Sequence, residues 1–151
     1  MKIVNLFDAE PGDEWDRDGF RFRGRRLGEV LDSERLGCGL YDLPTGEQLW
    51  PYHWHTEREE WLLVLVGAPT LRTPEGEREL RAGDVVAFPA GEAGAHTLYN
   101  RAEAPARVAM FSTLGPTEAV YPDSGKVSAP GGLMFRVADA VDYWDGEGPA
   151  R

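Results

Sequence analysis

The chain has 151 residues, 42% of them hydrophobic and 28% charged, which is enough for one globular domain with its own core. Its formal net charge of −10 repels phosphate backbones, so we expect no binding to nucleic acid. The most apolar run, residues 61–66, is far shorter than the roughly 20 residues of a membrane helix, and the N-terminus does not resemble a signal peptide. The single cysteine, Cys38, allows no internal disulfide, and we expect a cytoplasmic protein without membrane contacts.

The first part of the chain is strongly polar. Acidic residues dominate up to residue 18, and a group of arginines follows up to residue 26. We expect residues 1–35 to form a solvated N-terminal arm. Four aromatic side chains would hold this arm against the domain: Phe7, Trp15, Phe20 and Phe22.

From residue 36 to residue 114, short apolar segments alternate with Gly- and Pro-containing turns at intervals of about 8 to 12 residues. The predicted strands are 36–43, 49–55, 60–66, 70–73, 77–80, 85–88, 96–100 and 108–113. No segment keeps a helical periodicity. The pattern is typical of an all-β domain, either a sandwich or a barrel.

Residues 115–151 form a C-terminal extension with a weaker pattern. Residues 121–126 have the composition of a loop, and residues 133–137 are consistent with one more strand. Helical spacing then predicts a short C-terminal turn of helix from four apolar residues: Val137, Ala140, Val141 and Trp144.

His53 and His55 form an H-x-H pair in the predicted strand 49–55. Alternate residues of a strand project from the same face, so both imidazoles can reach one ion. A hairpin over residues 56–59 would return the chain and bring Glu60 beside the two histidines. Three apolar residues of the next strand share the face of Glu60: Leu62, Val64 and Val66.

His96 begins a predicted strand in which Leu98 and Asn100 share its face. Three imidazole nitrogens and one carboxylate oxygen can hold a divalent transition metal, and an octahedral ion would keep open positions for catalysis. The ligand set does not distinguish Fe, Mn, Ni, Zn, Co and Cu. Because histidine must be neutral to bind a metal, we expect the metal affinity to fall below a pH of roughly 6.

Two motifs in this region resemble those of the cupin superfamily. The first is carried by Gly46, His53, His55, Glu60 and Gly67, with one extra residue before His53. The second is carried by Gly83, Pro89, Gly91, His96 and Asn100, with two extra residues before His96.

This resemblance implies one domain with the cupin fold, a double-stranded β-helix or jelly-roll barrel whose core spans residues 36–114. It implies a metal inside one mouth of the barrel, with His53, His55, Glu60 and His96 as ligands. It also implies a small-molecule ligand or substrate, and it mildly favours a homodimer because many cupins are dimers.

Other side chains leave alternatives open. Trp50, Tyr52 and Trp54 are predicted on the strand face opposite the histidines, either under the N-terminal arm or in a dimer interface. Asn100 is expected to form structural hydrogen bonds rather than bind the metal. Four arginines are predicted to be surface residues, with contacts to an anionic substrate as the alternative: Arg72, Arg81, Arg101 and Arg107.

These observations predict a metal-binding small cupin. The first of two interpretations is a metal-dependent enzyme that acts on a small organic molecule. The sequence does not resolve dioxygenase, isomerase and lyase chemistry, because substrate choice depends on the pocket walls and not on the fold. The alternative is a non-catalytic cupin that binds or senses a small molecule.

Overall fold

The computed structural model describes residues 1–17 and 19–148. In this part of the chain the strands are, in order, β1 (Asp13–Arg17), β2 (Phe20–Arg26), β3 (Leu36–Leu43), β4 (Trp54–His55), β5 (Glu60–Val66), β6 (Thr70–Thr73), β7 (Gly76–Glu79), β8 (Val85–Phe88), β9 (Thr97–Tyr99), β10 (Ala106–Thr113), β11 (Ala119–Tyr121), β12 (Lys126–Ala129) and β13 (Leu133–Arg136). One helical turn, α1 (Leu27–Val30), follows β2. Short 3₁₀ turns cover Glu92–Gly94, Pro122–Ser124, Pro130–Gly132 and Val137–Asp139. Among the described residues, no helix has both the length and the hydropathy needed to cross a membrane.

The strands form three antiparallel sheets. The largest has six strands in the order β1-β2-β3-β10-β5-β8. A second has the order β13-β12-β11-β4, and a third has the order β7-β6-β9. The all-β, antiparallel class predicted from the sequence is therefore confirmed, while closure of the sheets into a barrel remains a prediction.

Both faces of the six-stranded sheet are covered. Its inner face contributes Leu62, Val64 and Val108 to the main core, where Leu71 and Leu98 of the third sheet meet them. The outer face buries Leu40 and Ala109 in a second cluster. That cluster is closed by α1 and by apolar residues of the N-terminal segment: Val4, Leu6 and Ala9. The alternation of β3, β5 and β10 thus separates two apolar layers.

Several strands begin and end where the sequence predicts them. These are β3, β5, β6 and β8. The predicted strand 49–55 is wrong over most of its length, because only Trp54–His55 is strand. Pro51 has no N–H to donate within this segment, and the flanking residues Gln48 and His53 form isolated bridges instead of a ladder.

The N-terminal segment is more ordered than the predicted solvated arm. β1 and β2 form a hairpin, and β2 extends the main sheet with Gly24 opposite Tyr41 of β3. The predicted aromatic attachment is observed for Phe22, whose ring centroid lies 6.0 Å from that of Tyr41 and on which Trp15 stacks at 6.1 Å. It is wrong for Phe7, which is exposed. Apolar residues alternate with arginines in β2, and this alternation is the strand signal that the charge pattern concealed.

The C-terminal extension also contains strands, namely β11, β12 and β13. The predicted strand 133–137 is observed as β13, Leu133–Arg136. The predicted C-terminal turn of helix is wrong, because only Val137–Asp139 forms a single 3₁₀ turn. β11 pairs with β4, and Ala119 lies opposite His55. The extension therefore packs directly beside the predicted metal ligands.

Candidate metal centre

The site is built on a backbone bridge between two histidines. The N–H of His53 donates to the carbonyl oxygen of His96 (3.1 Å), and the N–H of His96 donates to the carbonyl oxygen of His53 (2.9 Å). This reciprocal pair places the two imidazoles side by side, with ring centroids 4.9 Å apart. His55 is the second residue of β4, and its ring centroid lies 5.0 Å from that of His53.

Glu60 completes the group from the start of β5. Its Oε2 atom lies 3.5 Å from Nε2 of His55 and 3.6 Å from Nε2 of His96. Ligand atoms of His53, Glu60 and His96 all lie within 4.8 Å of one another. The loop after β4 therefore returns Glu60 to the histidines, as predicted. The predicted hairpin over residues 56–59 is wrong, because β4 pairs with β11 whereas β5 pairs with β8 and β10. The structure brings the four predicted residues together, but it does not test them as a ligand set, which stays a prediction.

Backbone carbonyls orient two of the imidazoles. Nδ1 of His53 donates to the carbonyl oxygen of Pro51, and Nδ1 of His96 donates to that of Gly94, both at 2.9 Å. A carbonyl oxygen only accepts, so each Nδ1 carries the proton and each Nε2 keeps a lone pair. Such a hydrogen bond fixes the ring and the tautomer of a metal-binding histidine.

Aromatic rings hold the histidines on three sides. Phe88 stacks on His96 with centroids 3.8 Å apart and planes 8° apart. Tyr121, from β11, stacks on His53 at 5.7 Å. The edge of Trp50 faces both of these histidines, at 6.3 and 6.2 Å. The imidazoles therefore have little freedom to rotate away from a shared centre.

Burial keeps the histidines neutral. Burial, with a smaller contribution from the neighbouring His53, lowers the pKa of His96 to about 3 and that of His55 to about 4. The pKa of His53 is also lowered by burial. Burial has the opposite effect on an acid and raises the pKa of Glu60 to about 7. At neutral pH the three imidazoles are therefore uncharged, as metal ligands must be.

A divalent ion fits the unsatisfied atoms of this site. Nε2 of His96 is buried and has no hydrogen-bond partner among the described residues. A buried nitrogen without a partner costs about 1–3 kcal/mol. The donor set, imidazole nitrogen with one carboxylate, suits first-row transition metals.

The predicted aromatic stripe opposite the histidines is wrong for Trp50 and Tyr52. Trp50 packs against the main core and against His53, and Tyr52 is buried. The alternation on which that prediction depended needs a continuous strand, and the segment around Pro51 is irregular.

The four arginines weighed for substrate contacts are all paired with carboxylates. Arg107 forms two hydrogen bonds to Asp42 (2.6 and 2.8 Å), and Arg72 forms two to Asp123 (2.6 and 2.9 Å). The other two pairs are Arg81 with Asp84 and Arg101 with Glu77. These pairs favour the surface interpretation over contacts with a substrate.

An open cavity of about 410 Å³ lies beside Glu60, over the inner face of the six-stranded sheet. Gly37 and Gly39 of β3 line it, and the hydroxyl of Tyr41 lies over Gly39, where a Cβ would overlap it. Tyr41 lines the cavity, and Arg58 lines it from the loop before Glu60. Sequence reasoning missed both residues. The position of Arg58 between His55 and Glu60 was the available signal.

Asn100 has the structural role expected of it. It is fully buried, and its Nδ2 donates to the carbonyl oxygens of Leu43 (3.0 Å) and Ala104 (2.9 Å). Its Oδ1 accepts from the N–H of Ala102 at 3.2 Å. All side-chain hydrogen-bonding groups of Asn100 are thus used by the backbone.

Comparison with known proteins agrees with this architecture. Residues 39–112 match the family model of the cupin domain. A sugar phosphate isomerase of the cupin superfamily from Silicibacter pomeroyi has a TM-score of 0.79 and 27% identity, covering 97% of this chain and 100% of that one. A candidate sugar phosphate isomerase from Acidithiobacillus ferrooxidans has a TM-score of 0.82 and 22% identity, covering 94% and 95%. A polyketide cyclase from Streptomyces resistomycificus has a TM-score of 0.63 and 22% identity, covering 78% and 83%.

No curated protein sequence matches the chain. The antiparallel all-β fold, the matched residues and the similar structures define a small cupin-type domain. Residues 39–112 therefore form a cupin-family domain, as the two motifs indicate.

Proposed function

We propose that the protein is a metal-dependent enzyme that isomerises a small polyhydroxy substrate, such as a sugar phosphate. The observation that carries this proposal is the group of His53, Glu60 and His96, of which Glu60 also lines an open cavity. The name of the 27% identical relative from Silicibacter pomeroyi supports the isomerase class, because the two chains align over almost their whole lengths.

A divalent ion bound by these residues would supply Lewis-acid polarisation of substrate oxygens. The chain's own residues supply the rest. The neutral imidazoles of His53 and His96 hold the centre in place through their Nδ1 hydrogen bonds. The Tyr41 hydroxyl lines the cavity and can donate a hydrogen bond to a substrate oxygen.

Isomerisation is also consistent with what the site contains. An aldose and its ketose have the same atoms and the same overall oxidation state, so hydrogen moves between neighbouring carbons without any external oxidant. A cavity of about 410 Å³ is in the size range of small-molecule sites. Its lining by Tyr41, Arg58 and Ser112 suits a substrate rich in oxygen.

Turnover by the metal-loaded protein tests this proposal. The protein is loaded separately with Mn, Fe, Co, Ni or Zn, incubated without O₂ with a panel of aldose and ketose phosphates, and followed by NMR. Glu60→Gln removes one predicted ligand, and Glu59→Gln, at the exposed neighbouring residue, is the matched control. We expect turnover in the wild type and in Glu59→Gln, and its loss in Glu60→Gln.

Other outcomes would contradict the isomerase proposal. Binding of these substrates without turnover would favour a non-catalytic binding module. Consumption of O₂ by the iron form with another organic substrate would favour a dioxygenase, and cleavage of a substrate would favour a lyase.

We also propose that the protein is a cytoplasmic homodimer that binds no nucleic acid. Its net charge of −10 supports the last point. The apolar side chains exposed on the C-terminal extension support self-association: Leu133, Phe135, Val141 and Trp144. Light scattering after size exclusion tests the dimer, and a monomer at micromolar concentration would contradict it.

A further inference from the structure

Arg58 stands apart from the other arginines around the site. It precedes Glu60 by two residues in the loop between β4 and β5, and it lines the same cavity as Glu60. Its Nε atom is buried and has no hydrogen-bond partner within the described residues. Over the same part of the chain, Arg58 takes part in no ion pair.

A buried guanidinium N–H without a partner is unfavourable, because the charged group loses water and gains no hydrogen bond in exchange. Folded proteins pair such groups with an anion. The neighbouring arginine at the cavity, Arg26, already has a partner, since its Nη1 lies 3.2 Å from Oε1 of Glu29. Within the described residues, Arg58 is therefore the arginine of this cavity that forms no ion pair with a carboxylate.

Glu60 shares the cavity with Arg58 but forms no ion pair with it. Glu60 lines the cavity, but its Oε2 atom lies 3.5–3.6 Å from Nε2 of His55 and of His96. Arg58 and Glu60 therefore both line the cavity, and the Glu60 carboxylate is directed to the histidines. In a chain of net charge −10, a cavity arginine that has no ion pair among the described residues is a distinctive feature.

We propose that Arg58 binds an oxyanion group of the substrate, a phosphate or a carboxylate, while the rest of the substrate extends towards Glu60. This inference rests on the proposed function, because it assumes that the protein has a substrate. It adds that the substrate is anionic. Because Arg58 and Glu60 line the same cavity of about 410 Å³, the substrate is small. A planar guanidinium matches two oxygens of either anion, which a lysine cannot do.

Binding of simple anions to the full-length protein tests the role of Arg58 without any turnover. Inorganic phosphate and acetate serve as separate probes, and titration calorimetry measures their affinities with metal bound and again after chelation. Arg58→Gln removes the charge, whereas Arg58→Lys keeps the charge and loses the planar fork. Arg81→Gln is the matched control, because the Arg81 side chain is 89% exposed and is not among the residues lining this cavity.

We expect Arg58→Gln to weaken anion binding by at least about tenfold, Arg58→Lys to weaken it less, and Arg81→Gln to leave it unchanged. Preference for phosphate over acetate would identify a phosphate ester as the substrate group, and the reverse preference a carboxylate. Equal anion affinities for the wild type and Arg58→Gln in both metal states, or no anion binding by the wild type, would overturn the inference. Circular dichroism and metal content, expected to be unchanged, establish that Arg58→Gln is folded. If the wild type binds anions through Arg58 but takes up no metal, the proposed enzyme function fails and this inference stands.

Discussion

His53 and His96 face each other through a reciprocal pair of backbone hydrogen bonds, of 3.1 and 2.9 Å, outside any regular strand. Each imidazole also donates through Nδ1 to a carbonyl oxygen two residues earlier. The positions of both rings are therefore fixed by the backbone on either side of the bridge. This arrangement makes the geometry of the metal centre depend on turns that carry no ligand.

Gly94 is the first such position. Its carbonyl oxygen accepts from Nδ1 of His96, and a Cβ added at Gly94 would lie 1.9 Å from the carbonyl oxygen of Pro89. Gly94→Ala must therefore displace the turn, and we expect it to lower metal affinity by about tenfold to a hundredfold. Competition with a chelating dye measures the affinity. Gly148→Ala is the control, because its Cβ would meet no atom within 4 Å. Wild-type affinity in Gly94→Ala would show that this turn does not set the ring of His96.

The pKa values of the site predict how metal binding depends on pH. Burial raises the pKa of Glu60 to about 7, so at pH 6 the metal-free carboxyl is mostly protonated and must lose its proton to bind an ion. The buried His55 and His96, with pKa values of about 4 and 3, are already neutral at that pH. Affinity should therefore weaken by up to about tenfold per pH unit below pH 7, and more steeply below about pH 4.

Calorimetry in buffers of different ionisation enthalpy tests this assignment. We expect release of close to one proton per ion bound at about pH 6 and close to none at about pH 8. This result would revise the expectation that histidine protonation weakens binding below a pH of roughly 6. Release of two or more protons at pH 6 would show that the histidines keep their ordinary pKa values.

Asn100 separates stability from metal binding. Asn100→Ala leaves the buried carbonyls of Leu43 and Ala104 without their donor, so we expect a loss of about 2–4 kcal/mol in the free energy of unfolding. Urea denaturation measures the loss. The metal content of the folded variant should equal that of the wild type. Asn5→Ala, which removes one exposed hydrogen bond to the N–H of Phe7, should change stability by less than about 1 kcal/mol. Loss of metal from Asn100→Ala without a loss of stability would make Asn100 a ligand.

Tyr41 tests the role of the cavity wall. Its hydroxyl lies over Gly39 in the cavity beside Glu60. Once a turnover substrate is found, we expect Tyr41→Phe to lower kcat by at least about tenfold, because the substrate loses a hydrogen-bond donor. Metal content and stability should stay close to those of the wild type. Tyr143→Phe, at an 82% exposed side chain, is the control. An unchanged kcat in Tyr41→Phe would exclude the hydroxyl from the reaction.

The sequence predicted those parts of the fold that depend on local signals. Alternating apolar residues and flanking turns located β5 correctly from Glu60 to Val66, and the same parity correctly placed Glu60, Leu62 and Val64 on the buried face. The parity fails at Val66, which is 48% exposed, because the pairing with β10 shifts register between Arg107 and Val108.

The parts that the sequence did not predict depend on contacts between distant segments. Pro51 interrupts the strand that was expected to carry His53. The isolated bridge to His96, and not a regular strand, therefore orients His53. The stacking of Tyr121 on His53 requires the C-terminal extension to pair with β4, and no local pattern indicates that pairing. Arg58 lies in a polar loop whose composition is that of any solvated turn. Only the folded arrangement shows that its Nε is buried.

Elemental analysis of the purified protein tests directly whether the histidines and Glu60 bind a transition-metal ion. The wild type is compared with His96→Ala and with the nearly isosteric Glu60→Gln, each incubated with Mn, Fe or Zn and then freed of excess ion. We expect about one transition-metal ion per wild-type chain and a strong loss of metal in both variants, with circular dichroism unchanged. A wild-type chain that takes up no ion, or a full complement of metal in both variants, would contradict it.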